Sequence, residues 1–266
     1  MNYNSNKHLG EISKNKYGET FQIIKYLNCK DIIIQFFNDA HYTKHTNYFY
    51  FKEGRVASPY AKRTYGVGYL GEGKYNFTDK NNLDFKGHAK KTKCFEFWQG
   101  MMYRCYGKNF QRRSAYLDCS VCEEWHNYQN FAKWFDDNYY SIDNEQMVLD
   151  KDILYKGNCV YSPISCCIVP ATINKIFVKR EKAKEFEMPI GIMKIEYKTK
   201  PTEYRARVKK YNKYCELGNY NTIKEAFSAY KIAKEKYIKE VADLYKNKIP
   251  KKIYDAMYNY QVEITD

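Results

Sequence analysis

The run Tyr204-Arg205-Ala206-Arg207-Val208-Lys209 alternates strictly between uncharged and cationic side chains. A period of two belongs to a strand that carries Tyr204, Ala206 and Val208 on one face and Arg205, Arg207 and Lys209 on the other. Such a strand needs something to cover its apolar back, and a cover follows in the sequence. Thr222-Ile223-Lys224-Glu225 has the capping-box pattern, in which a Thr hydroxyl and a Glu carboxylate satisfy the orphan amides of a helix start. Beyond it Ala226, Ala229, Tyr230, Ala233, Tyr237 and Val241 form a stripe at helical spacing, and its alanines let the helix lie close against a sheet. Residues 189–266 therefore read as a sheet packed on a helix, followed by further helix.

Charge adds the function class. Between residues 189 and 252, 17 Lys and Arg stand against seven acids, and the whole chain of 266 residues carries net +14. A basic surface gains affinity for nucleic acid by releasing counterions from phosphates. Arginines two apart on a strand project in parallel about 7 Å apart, a pitch close to that of successive phosphates or base steps. A lysine-rich composition without charge selection is the alternative reading. Hydrophobic residues at 44% and aromatics at 18% exclude wholesale disorder. No run approaches the roughly 18 apolar residues of a membrane span and the start lacks a signal-peptide core, so a soluble, cytoplasmic protein with no membrane partner is expected. The nine cysteines are expected as reduced thiols.

Residues 1–75 read as a small β-rich module, a barrel or curled sheet. Its strands would be Phe21–Tyr26, Asp31–Phe37 and Tyr48–Phe51, the first two joined by a turn at Asn28-Cys29-Lys30 and the last closed by Glu53-Gly54. Gly66-Val67-Gly68-Tyr69-Leu70-Gly71-Glu72-Gly73 matches G-x-G-x-x-G but has no strand–helix context for a dinucleotide. It reads as a flexible joint into a linker at 76–94.

The stretch 95–178 is dense in Trp, Tyr and Cys. Phe97, Trp98, Met101, Met102 and Cys105 fit a helix ending at Gly107, and Trp125, Phe131, Trp134 and Phe135 fit another. A strand over Met147–Leu154, a turn at Tyr155–Asn158, a strand over Cys159–Ser162 and a helix over Ala171–Phe177 then give a ββα outline. Asp150 and Asp152, on alternate positions of the first strand, would share a face and could hold a divalent cation such as Mg or Mn. Cys119 and Cys122 form a C-x-x-C pair that Cys105, or Cys166 and Cys167, would complete as a structural Zn site. The five histidines make no ligand pair, and His126 reads as structural.

Two resemblances extend this reading. Residues 189–240 resemble the APETALA/ethylene-response-factor type of DNA-binding domain through Gly191-Ile192, the Tyr204–Val208 strand, Leu217-Gly218-Asn219-Tyr220 with Thr222, and Glu225-Ala226 with Ala229-Tyr230 and Ala233. The resemblance implies a three-stranded antiparallel sheet packed on one helix, reading DNA in the major groove from the sheet face. It implies contacts from Arg205, Arg207 and Lys209, with Lys194 and Lys198 on the first strand. The tryptophans of the plant members are missing from the sheet, so their base specificity does not transfer.

Residues 95–177 resemble the central region of phage HNH-endonuclease-like proteins through Trp98–Tyr106, Val121–Trp125 with Phe131 and Trp134, Leu149–Asp152, Gly157-Asn158, Tyr161-Ser162-Pro163, Cys166 and Asn174. In active members a His at the end of the first strand activates water. Here that strand reads Leu149-Asp150-Lys151-Asp152, Ser165 stands where an Asn is expected, and a lysine does not replace a neutral imidazole base. The matching positions are Asp150, Lys151, Asp152 and Asn174.

The expectation is an α+β protein: an N-terminal β module, a central degenerate HNH-like ββα domain and a C-terminal sheet on a helix. Its function would be phage-type binding of double-stranded DNA in the host cytoplasm. One alternative is a metal-dependent nicking or homing endonuclease using Asp150 and Asp152 with Asn174 or His126. Another is a phage factor that inhibits a host defence by binding a protein or nucleoprotein.

Overall fold

The computed structural model describes residues 8–38, 40–109, 118–177 and 188–266. The architecture is α+β, in two compact units. One comprises the described residues up to 109 with 120–137, the other residues 118–119, 138–177 and 188–266. The segment 95–178 is thus divided between them. Among the described residues no helix is long and apolar enough to cross a membrane.

In the first unit β1 (Ile12–Lys14), β2 (Thr20–Asn28), β3 (Asp31–Phe36) and β4 (Thr43–Thr46) form an antiparallel sheet in that order. Alternation buries Ile32, Ile34 and Phe36 of β3 against Phe21 and Ile23 of β2. Each such side chain contributes about 1.5–3 kcal/mol of transfer free energy. Asn28 closes the expected turn by accepting the Lys30 N–H at 2.9 Å.

The strand expected at Tyr48–Phe51 is instead a helix, α1 (Tyr48–Lys52). Asn47 caps it by accepting the Tyr50 N–H at 2.8 Å. Gly54 ends it at φ 61°, where a Cβ would lie 2.5 Å from the Lys14 carbonyl. A helical turn brings Phe51 fully into the core while Phe49 and Tyr50 stay exposed.

The glycine-rich run is not a joint. Tyr69 donates to the His126 carbonyl and accepts from the Tyr128 N–H, both at 2.9 Å, and a Cβ at Gly68 would lie 2.8 Å from the Trp98 ring. Gly68, Gly71 and Gly73 are there for close packing, whereas Gly66 has open space around it and serves the turn at φ 76°. The segment expected as a linker holds a hairpin of β5 (Thr78–Leu83) and β6 (Ala89–Lys91).

Then α2 (Lys93–Tyr106), capped by Thr92 and ended by Gly107, buries Phe95, Trp98, Met101, Met102 and Cys105. After β7 (Ser120–Val121) and a 3-10 turn at Glu123–His126, α3 (Tyr128–Asn138) buries Tyr128, Phe131, Ala132 and Phe135. The Trp98 indole donates to the Trp125 carbonyl at 2.7 Å, so the two aromatic segments share a buried hydrogen bond as well as apolar area.

The second unit begins with β8 (Met147–Asp150), β9 (Val160–Tyr161), β10 (Cys167–Pro170) and α4 (Ala171–Phe177). A ββα outline is present, but with a different second strand: β8 pairs antiparallel with β10, Asp150 opposite Cys167, and not with Cys159–Ser162. The first strand also stops at Asp150, because its carboxylate accepts the N–H groups of Asp152 and Ile153, both at 2.7 Å, and turns the chain.

There follow β11 (Ile192–Ile195), β12 (Glu203–Lys210), β13 (Lys213–Tyr220), α5 (Ile223–Tyr245) and α6 (Lys251–Tyr258). The three strands form an antiparallel sheet in that order, packed on α5. One core runs through the unit, joining Val169 and Ile173 to Ala206, Val208, Ala226, Ile238 and Met257.

Candidate nucleic-acid interface

The C-terminal sheet takes the faces its alternation predicts. Ala206 and Val208 are buried against α5, while Arg205 and Lys209 are exposed. The capping box forms as expected, with Thr222 Oγ1 accepting from the Glu225 N–H at 3.2 Å and the Glu225 carboxylate from the Thr222 N–H at 3.1 Å. β12 turns into β13 through Tyr211 and Asn212 at φ 47° and 64°. Two residues in this conformation make the tight hairpin turn whose twist matches the strands.

Register decides what accompanies each arginine. Arg207 lies opposite Glu216 and Lys209 opposite Tyr214, but a bulge at Ala206/Arg207 inserts one residue on β13 and brings Asn219, not Gly218, opposite Arg205. Arg205 Nε donates to Asn219 Oδ1 at 3.1 Å and lies 4.0 Å from Glu216. Asn219 in turn donates to Glu203 at 2.8 Å, and Glu203 also accepts from Tyr197 at 2.9 Å and Lys200 at 3.0 Å. The Lys200 ammonium, then the Tyr197 hydroxyl, hold the Glu203 carboxyl below its usual range.

The front of β12 is cationic, whereas the front of the whole sheet is mixed. Its cationic surplus lies toward the hairpin. There the Arg207 guanidinium stacks 4.4 Å from the centre of the Tyr214 ring, with the Lys209 ammonium 5.9 Å from the same ring. Tyr211 and Tyr214 are both exposed, whereas Lys210 and Lys213 lie opposite each other on the helix-facing side, with the Lys210 ammonium 3.2 Å from Glu240 of α5.

Two expected contacts fall elsewhere. Lys194 lies opposite Tyr204, on the helix-facing side at the sheet edge, and its ammonium is 2.6 Å from Glu196. Lys198 lies in a bend beyond the end of β11. The residue of β11 opposite Arg205 is the exposed Met193. Tyr211, Tyr214, Asn219 and Met193 were missed by sequence reasoning. The Tyr-Asn pair ending an alternating strand was a usable turn signal for the first two, whereas the bulge hides the alternation of β13.

The positions that carry the expected HNH resemblance form a closed structural knot. Lys151 is buried, and its ammonium donates to Asp152 Oδ1 and to the Asn158 carbonyl, both at 2.8 Å. Asn158 returns a hydrogen bond to the Lys151 carbonyl at 2.9 Å. Burial would lower the Lys151 pKa, but the hydrogen bond and charge of Asp152 outweigh it and hold the ammonium protonated. Burial pushes the Asp150 carboxyl above its usual range in spite of its two amide donors. Because β8 ends at Asp150, Asp152 does not continue its face.

A divalent cation fits this set poorly, since one carboxylate is committed to backbone amides and the other to an ammonium. Asn174 lies half-buried on α4. His126, the other residue of the nuclease alternative, has Nε2 3.1 Å from the Val121 carbonyl, a structural tie.

Cys119 belongs to the second unit beside Cys159 and Lys151, and Cys122 to the first, at the start of the 3-10 turn. Burial raises both thiols above their usual range, and none of the nine cysteines forms a disulfide. Among the described residues no three His, Cys, Asp or Glu side chains converge as a metal site. Compared with protein-family models, with curated proteins and with solved structures, the chain matches none.

Proposed function

We propose that this is a phage-type DNA-binding protein that contacts duplex DNA through the front of β12 and the β12–β13 hairpin. The observation that carries the reading is the stack of Arg207 and Lys209 on Tyr214 at the exposed end of a sheet. Two cations held on one aromatic plane are pre-oriented, so less side-chain entropy is lost when they meet phosphates or a guanine edge. Arg205 is oriented by Asn219 in the same way. Lys209 supplies sequence-independent affinity, and the arginines supply register or base contacts. The β8–β10–α4 segment serves in this reading as a non-catalytic HNH-like scaffold, its expected base replaced by the buried Lys151.

The test is a gel-shift salt series with duplex DNA in EDTA and then with magnesium or manganese. Binding in EDTA should fall steeply with salt. Arg207→Ala should cost about 1–3 kcal/mol, and Lys209→Ala should reduce the salt slope by about one. Metal-dependent nicking lost in Asp152→Ala would establish the endonuclease instead. Absence of salt-dependent binding would refute the proposal and favour a protein partner.

A further inference from the structure

The hairpin β5–β6 stands apart from the rest of the first unit in how little it buries. No residue from Thr78 to Lys91 is buried, and Phe85 at its tip is 93% exposed. Phe85 is the most exposed large apolar side chain among the described residues, and the Lys86 ammonium lies 5.4 Å from its ring centre, so the tip presents an aromatic and a cation together.

The tip is built, not loose. Asp84 Oδ1 accepts the N–H groups of Lys86 at 2.8 Å and His88 at 2.9 Å, and the Asp84 N–H donates to the His88 carbonyl at 2.8 Å. Gly87 takes φ 78°, closing the turn. At the other end, Thr92 donates its N–H to the Phe77 carbonyl at 3.0 Å and the Tyr128 hydroxyl donates to the Asn76 carbonyl at 3.0 Å, fixing the stem on the aromatic core of α2 and α3. The stem and tip carry Lys80, Lys86, Lys90 and Lys91 against Asp79 and Asp84. Asp84 is spent inside the turn, so the outward charge is cationic.

β5 pairs with the three residues of β6 at Thr78, Asp79 and Leu83, with an irregularity between Asp79 and Leu83, and a two-stranded ribbon fits a DNA groove. From this ribbon we infer a second DNA contact, in which Phe85 wedges between base steps while Lys80, Lys86 and Lys90 meet the flanking phosphates. Apolar wedges with basic flanks are how bent-DNA binders offset the cost of unstacking a step. The charge complementarity of the stem selects DNA over an apolar groove on a protein. The inference rests on the DNA-binding reading above but uses residues of the other unit.

A wedge unwinds the duplex, and a surface contact does not. Closed-circular plasmid is relaxed by a type I topoisomerase in the presence of the full chain, then deproteinised, and the topoisomers are resolved. Wild type should leave a linking-number change that grows with bound protein. Phe85→Ala should weaken binding by about 5- to 160-fold, the loss of one base stack, and at equal occupancy should lose most of the linking-number change. Phe85→Trp should retain it, with quenching of the added indole emission on DNA. Because Phe85 contributes nothing to the core, folding of both variants is checked by an unchanged circular dichroism spectrum. An unchanged linking number at equal occupancy in Phe85→Ala overturns the wedge and leaves the sheet contact standing. Binding by wild type without any linking-number change does the same. No binding by wild type overturns both.

Discussion

Gly191 offers the sharpest test of how the C-terminal sheet is held on α5. It sits just before β11 at φ 82°, a Cβ there would run into the Tyr230 ring, and the Arg207 carbonyl would lie 2.8 Å away. The Gly191 carbonyl also accepts the Arg207 N–H at 2.9 Å, so the position anchors the strand that carries the proposed contacts. Gly191→Ala should cost about 1–2 kcal/mol for the left-handed backbone and about 1–3 kcal/mol for overpacking against the buried Tyr230. Tyr230→Ala removes the ring and with it most of the steric part, leaving the backbone strain and the Arg207 contact. In that background Gly191→Ala should therefore cost about 1–2 kcal/mol, a coupling of about 1–3 kcal/mol. Native-state hydrogen exchange of the Ala206, Val208 and Ile238 amides reads the opening free energy of this unit alone. Equal costs in the two backgrounds, or a single-variant cost below about 0.5 kcal/mol, would refute the steric argument.

Lys234 donates to the Ile176 carbonyl at the end of α4 at 2.7 Å, and burial lowers its pKa from 10.5 to about 8. The native state thus favours the neutral amine, and stability should be penalised below pH 8 and recover as pH rises toward 10.5. The shift corresponds to about 3 kcal/mol, an upper bound for a partly solvated side chain. Lys234→Met should therefore stabilise the chain at pH 7 by about 1–2 kcal/mol after loss of the hydrogen bond and flatten the rise between pH 8 and 10. Urea titrations at the two pH values decide it, and destabilisation of the variant at pH 7 would show that the charged form is the better bound. Thr222→Ala removes one half of the capping box and should cost about 1 kcal/mol, seen as faster exchange of the Glu225 amide. Unchanged protection there would mean that sheet packing alone holds the start of α5.

The C-terminal sheet and helix were legible in the chain because their signals are local. Alternation over Tyr204–Lys209 and the Thr222–Glu225 box act over two and three residues, and both survive unchanged in the structure. The helices about Trp98 and Phe131 were legible for the same reason. Asn47 and Gly54 also bracket α1 locally, but four consecutive aromatics carry a strand-like composition. Only the burial of Phe51 beneath the sheet decides for the helix.

What remained hidden involves pairing across distance. β8 takes β10 as its partner, across a loop that Asp150 starts and Lys151 closes, and periodicity does not specify which of two short strands wins. A one-residue bulge chose Asn219 as the partner of Arg205, and one-residue alternation turned Lys194 to the other face. The sequence by itself determined which strand is cationic and which helix covers it, because those depend on the spacing of neighbours along the chain. Tertiary structure decided which side chains stand beside each arginine, why Gly68, Gly71 and Gly73 must be glycines, and that Phe85 is left exposed, because these depend on register and packing between distant segments.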